Sequence, residues 1–225
     1  MEAVVTYLGH SAFCVEAAGR QLVYDYLGKA LDERRLTDAV VFVSHAHGDH
    51  CSDAALGLIE KGRAKGVVSF DVRRKGPWQR VWPGDRFEAG GVRGRAYRST
   101  DAGVSFLAEV DGLRVFHAGD LNFWHWRSES TEAEVGEARR AFDKALSEIE
   151  GELVDIAFFP VDPRMGEGHE EGARDFVRRR RPRVLIPMHF WDAPEAARAF
   201  SALPMPVGIR VVCLTTQGET YHWME

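Results

Sequence analysis

Short apolar runs broken by glycine open the chain, and longer amphipathic stretches alternate with apolar runs toward its end. Val4–Leu8, Ala12–Glu16 and Gln21–Tyr24 read as strands, with Gly9 and Gly19 at the breaks. Ala39–Ser44 is a continuous apolar run, the pattern of a strand buried on both faces. Asp53–Ala64 reads as a helix with Asp53 as its cap and Leu56, Leu58 and Ile59 on its apolar side. Extended segments follow at Gly66–Ser69, Arg86–Glu88, Val92–Tyr97, Val104–Val110 and Leu113–His117. Asp111-Gly112 marks a hairpin turn between the last two. A long helix is predicted over Thr131–Glu150, with Thr131 and Glu134 as a capping box. Val135, Ala138, Phe142, Leu146 and Ile149 recur there at helical spacing. Ile156–Phe159 and Val184–Pro187 are buried strands, Glu170–Arg180 and Pro194–Leu203 helices, and Arg210–Leu214 and Glu219–His222 closing strands. Strands first, then alternating helices and strands, imply one α/β domain over residues 1–225, two sheets packed together with helices outside.

Composition narrows the function classes. The 225 residues are 45% hydrophobic, enough for a sizeable core. A net charge of -5 argues against a strongly basic nucleic-acid binder, so nucleic acid is not an expected partner. Cys14, Cys51 and Cys213 are far apart and form no Cys-x-x-Cys pair, so neither a disulfide framework nor a sulfur-based zinc site is expected. No apolar stretch reaches the roughly 18–20 residues of a membrane span, and the N-terminus lacks the pattern of a secretory signal. The expectation is a soluble, cytoplasmic protein without a membrane partner. Homo-oligomer formation stays open.

The chemistry concentrates in His45-Ala46-His47-Gly48-Asp49-His50, directly after the apolar run that ends at Ser44. Imidazole and carboxylate suit zinc, manganese or iron. Three histidines and an aspartate at this density are costly to bury unpaired, which favours a metal site over packing. Gly48 is read as the hinge of the bend that lets these side chains converge.

This His-x-His-x-Asp-His segment after a buried strand resembles the signature of the metallo-β-lactamase superfamily. The resemblance implies an αββα sandwich of two mixed β-sheets flanked by helices, with a one- or two-metal site at the sheet edge. It also implies an aspartate in a later Gly-Asp pair, met by Asp120 in Ala118-Gly119-Asp120. A late histidine after a buried strand is met by His189. The implied metal ligands are His45, His47, Asp49, His50, Asp120 and His189, holding two divalent ions, zinc first, with manganese and iron as alternatives. His45 and His47 would hold one ion, Asp49, His50 and His189 the other, and Asp120 would bridge them. Asp49 would be the catalytic carboxylate beside a metal-activated hydroxide. One position departs from the pattern: Ser99 stands where another histidine is expected. Asp101, two residues on, either reaches the metal or caps a turn.

Leu8-Gly9-His10-Ser11-Ala12-Phe13 and the short length are similar to the small stand-alone hydrolases related to ascorbate-6-phosphate lactonase, with no room for an added nuclease or flavodoxin-like domain. The implied function is hydrolysis of a small polar or anionic substrate, a lactone or phosphoester. A nuclease or cyclic-nucleotide phosphodiesterase on the same metals is the first alternative, a non-catalytic metal-binding protein the second.

Other segments are weighed against plainer roles. His10 and Asp25 read as structural support, and His117 as either packing or an orienting partner of a ligand. The aromatic segment Asn122-Phe123-Trp124-His125-Trp126 is expected to wall a pocket, because it starts two residues past Asp120. For the loop carrying Arg164 and His169, a helix entry is favoured over substrate contact. For Arg178–Arg183, a solvated helix end is favoured over an anion site.

Overall fold

A computed structural model describes residues 1–225. The first sheet holds β1 (Glu2–Gly9), β2 (Ala12–Ala17), β3 (Arg20–Tyr24), β4 (Ala39–Val43), β5 (Ala64–Ser69) and β6 (Gln79–Val81), with the chain's last strand, β14 (Thr220–Met224), along the free edge of β1. The second holds β7 (Arg86–Ala89), β8 (Val92–Arg98), β9 (Val104–Val110), β10 (Leu113–His117), β11 (Ile156–Pro160), β12 (Val184–Met188) and β13 (Arg210–Val211), laid side by side in that order. Both sheets are mixed. β3, β4, β5 and β6 run parallel in one, and β10, β11, β12 and β13 in the other.

Alternation along β4 shows how the layers are made. Val40 and Phe42 join the large core between the sheets. Val41 and Val43 point the other way, into a smaller core with Ala55, Leu56, Leu58 and Ile59 of α1 (Asp53–Glu60). A strand covered on both faces has no place for a polar residue, which is why this run is wholly apolar. On the outside of the second sheet, α2 (Glu132–Glu148), α3 (Glu171–Arg180) and α4 (Pro194–Ser201) bury Phe142, Phe176 and Phe200 in the large core. Phe116 stacks on Phe176 with centroids 5.1 Å apart. The product is the expected αββα sandwich. No helix is long and apolar enough to cross a membrane.

Local differences from the sequence reading have simple causes. α1 is capped by Ser52, whose hydroxyl accepts from the Ala55 N–H, and it stops at Glu60 because Gly62 turns to φ +69°. The Thr131–Glu134 capping box forms as expected, a contribution of about 1 kcal/mol. β6 is an additional edge strand in which only Val81 is buried, so no alternation announced it. β13 is only two residues long, Arg210–Val211, where a longer strand was expected.

Strand direction positions the functional loops. β1 and β3 both pair antiparallel with β2, so they run the same way as β4. β8 and β10 both pair antiparallel with β9, so they run the same way as β11 and β12. The C-terminal ends of β1, β3, β4, β8, β10, β11 and β12 therefore lead into His10, Asp25, His45, Asp101, Asp120, Asp162 and His189 respectively. Loops at the C-terminal ends of parallel strands are the usual ligand sites of α/β sheets.

Candidate metal centre

Asp120 is the focus of these loops. Its carboxylate lies 3.3 Å from His45 Nε2, 3.1 Å from His50 Nε2 and 3.3 Å from His189 Nε2. Those three nitrogens and Asp120 Oδ1 are buried and have no hydrogen-bond partner. Burial alone would raise the Asp120 carboxyl, but the close approach of His189, His45 and His50 holds it well below the usual carboxylate range. A buried carboxylate that gathers three imidazoles is a place for positive charge, supplied by protons or by a cation. Three imidazole nitrogens and a carboxylate oxygen left without partners in a packed interior are costly unless something binds them. The donor set fits a divalent transition metal.

The far nitrogen of each buried ring is held from behind. His50 Nδ1 is 2.7 Å from Asp25 Oδ2. Asp25 also accepts from the Ser44 N–H at 2.7 Å and the Ser44 hydroxyl at 2.6 Å. Having spent its proton on Asp25, Ser44 Oγ can only accept from His45 Nδ1, 3.1 Å away. His189 Nδ1 is 3.0 Å from Asp162 Oδ2, and Asp162 takes both arms of the Arg164 fork. Such partners fix tautomer and ring orientation so that Nε2 faces inward. Burial would lower His50, but Asp25 and Asp120 outweigh it and lift the imidazole to about 10. His189 is likewise raised against the effect of burial, by Asp120 and Asp162.

Asp49 faces the opening, with 30% of its side chain exposed, and sits 3.3 Å from His10 Nε2. That contact is the main reason its carboxyl lies below the usual range. His10 in turn lies against His189, with ring centroids 4.3 Å apart, and its carbonyl accepts from the His189 N–H. His117 does not reach the donors. It stacks on Tyr24, accepts from the Gly119 N–H and donates to the Ser11 carbonyl, and burial lowers its pKa.

Gly48 is not the hinge expected of it: its φ is not positive and a Cβ there would meet nothing. The close approaches occur elsewhere. A Cβ on Gly103 would lie 2.0 Å from the Ser44 carbonyl oxygen, and one on Gly119 2.9 Å from the Val104 carbonyl oxygen. Left-handed backbone is instead carried by His10 (φ 54°), Asp25 (φ 43°), Trp126 (φ 39°), His189 (φ 62°) and Trp191 (φ 53°). Each costs roughly 1–2 kcal/mol, and strain of this kind gathers at functional sites.

A cavity of about 380 Å³ opens over the donors, walled by Trp124, Trp126, Trp191 and Arg164. Trp124 is fixed by its indole N–H donating to the Asp120 carbonyl at 2.8 Å. Arg164 lies over the Trp191 ring at 4.3 Å. His125, by contrast, is buried against Phe123 and does not line the cavity. His169 folds onto the Gly166 carbonyl instead. Arg178, Arg179, Arg180 and Arg183 pair with Asp175, Asp143, Glu150 and Asp155, which neutralises much of the charge beside a second cavity of about 620 Å³.

An αββα sandwich with a His/Asp donor cluster at the C-terminal strand ends marks a metal-binding α/β protein. Residues 4–189 match the family described as the β-lactamase superfamily domain. The chain is 29% identical over 223 residues to a UPF0173 metal-dependent hydrolase of Opitutus terrae, covering 85% of this chain and 86% of that one. It is 26% identical to another from a Geobacillus species, covering 95% and 98%. A solved metallo hydrolase from Ignicoccus hospitalis superposes with a TM-score of 0.69 at 22% identity, covering 100% of each chain. The chain belongs to the metallo-β-lactamase superfamily and is a metal-dependent hydrolase of that class.

Proposed function

We propose that the chain hydrolyses a small polar or anionic substrate, a lactone or phosphoester, at a two-ion centre. In this reading His45 and His47 would hold one ion and Asp49, His50 and His189 the other, with Asp120 a ligand available to both. Zinc is the favoured metal, with manganese and iron as alternatives on the same donors. The observation that carries it is the set of buried, unpartnered Nε2 atoms of His45, His50 and His189 around Asp120.

Bound divalent ions there would supply the charge that acidifies a water molecule and polarises the attacked oxygen. The residues do the rest. Asp49, kept ionised by His10, offers a carboxylate oxygen at the cavity floor to take or relay the proton released on attack. Trp124, Trp126 and Trp191 exclude bulk water from one side and bound the substrate's size. Arg164 adds a positive charge near Asp49 and Asp120, which suits an anionic substrate group. The cavity's size and the chain's net charge of -5 favour a small molecule over a nucleic-acid strand. The three thiols are unpaired, in keeping with a reducing, cytoplasmic setting.

The test pairs metal analysis with a substrate panel of lactones and bis(p-nitrophenyl) phosphate. Wild type is expected to carry zinc, manganese or iron and to turn over at least one class. Asp120→Ala is expected to lose both metal and turnover. A metal-free wild type of equal activity, or an Asp120→Ala variant that keeps both, overturns the reading. Preference for the diester with activity on polynucleotides would move the assignment to a nuclease.

A further inference from the structure

Where the superfamily pattern expects a further histidine, Ser99 does not join the donors: its hydroxyl accepts the Asp101 N–H at 3.3 Å. The Asp101 carboxylate does. Donor atoms of His47, Asp101 and Asp120 all lie within 4.8 Å of one another. A turn-capping role would require Asp101's side chain to accept a nearby backbone N–H, and it accepts none; nor does it form an ion pair. A carboxylate with no protein partner, within reach of His47 and of Asp120, whose other neighbour His45 Nε2 lies buried and unpartnered 3.3 Å from the Asp120 carboxylate, is placed for a cation.

The short loop that carries it is fastened on both sides. The Thr100 hydroxyl donates to the Asn122 carbonyl at 2.6 Å and accepts the Asn122 N–H at 2.9 Å. The Val104 N–H donates to the Ser44 carbonyl at 2.9 Å, and Gly103 packs so tightly there that no side chain fits. One fastening holds the loop to the segment after Asp120, the other to the residue before His45. The backbone around Asp101 is thereby fastened to both strand ends that carry this half of the centre, while its side chain stays exposed.

We propose that Asp101 is a further protein ligand of the His45–His47 ion beside the shared Asp120, a carboxylate standing where relatives of this pattern place an imidazole. The proposal rests on the two-ion reading above. It gives that ion two imidazoles and two carboxylates, a harder donor set than three imidazoles would make and one more accepting of manganese or iron.

Metal uptake by the apo protein tests this without assaying activity. Wild type, Asp101→Ala, Asp101→His, His189→Ala and Ser99→Ala are titrated with zinc and with manganese, and bound ions are counted. Cobalt(II) absorption reports the ligand set. Wild type and Ser99→Ala are expected to take up two ions. Asp101→Ala should retain one, with affinity for the other reduced at least tenfold to a hundredfold, the range seen for loss of partners less direct than a ligand. Asp101→His should restore the second ion with an altered cobalt spectrum, and His189→Ala should lose the opposite ion. Two ions of unchanged affinity in Asp101→Ala overturn the proposal while leaving the two-ion reading intact. A wild type that binds one ion, lost in Asp101→Ala, upholds the ligand and overturns the two-ion reading. A wild type with no ion, or with one that Asp101→Ala keeps, overturns both.

Discussion

His50 and His189 are each held from behind by a buried carboxylate, Asp25 or Asp162, and the second of these is clamped by Arg164. Across Asp120, His45 has only the Ser44 hydroxyl behind it, and His47 and Asp101 are exposed at the cavity mouth. One half of the centre is therefore built before any ion arrives, with rings locked in tautomer and direction. The other half has its donors in reach but must order them. Preorganisation sets how much of the gross binding energy survives as affinity. The His50–His189 half should fill first and hold its ion more tightly, and the His45–His47 half should be the exchangeable one.

The largest effect comes from removing what the halves share. Asp120→Ala should abolish binding at both and cost about a thousandfold in turnover, the equivalent of roughly 4 kcal/mol of transition-state stabilisation. Elemental analysis beside kinetics checks this, and loss of only one ion would break the symmetry assigned to Asp120. Asp162→Asn is the next step down. It leaves His189 in place but weakens the acceptor at Nδ1, so affinity for the tighter ion should fall about tenfold to a hundredfold while the weaker ion is unaffected. Calorimetric titration resolves the two, and an equal fall at both would erase the contrast. The smallest effect is expected outside the donors. Trp191→Ala removes a half-exposed ring from the cavity wall, and KM should rise about two- to tenfold with kcat kept, in line with one lost stacking contact.

How much of this was legible in sequence follows the same division. The buried strands could be read because a strand covered on both faces must be apolar; His45 and His189 follow two such strands, and Asp120 comes three residues after the mostly apolar β10. Register along β4, β10 and β12 then carries their side chains to the same edge. β6 escaped because an edge strand with one buried residue carries no period. The partners behind the rings escaped for a different reason. Asp25 lies 25 residues from His50 and Asp162 27 from His189, and a contact made where neighbouring parallel strands end side by side has no local signal. Gly48 was overread: a glycine inside a motif suggests a hinge, yet here the strain sits in His10, Asp25 and His189. Asp101 was ambiguous because the same residue type caps turns and binds metals, and only the absence of an N–H on its carboxylate separates the two.

The most direct measurement is anomalous diffraction at the metal edge from crystals of wild type soaked with zinc or manganese. The account predicts two peaks flanking the Asp120 carboxylate. The stronger should lie among Asp49, His50 and His189, the weaker among His45, His47 and Asp101, with an Asp101 oxygen at about 2.0–2.2 Å. A single peak, peaks of reversed strength, or density away from Asp120 would contradict it.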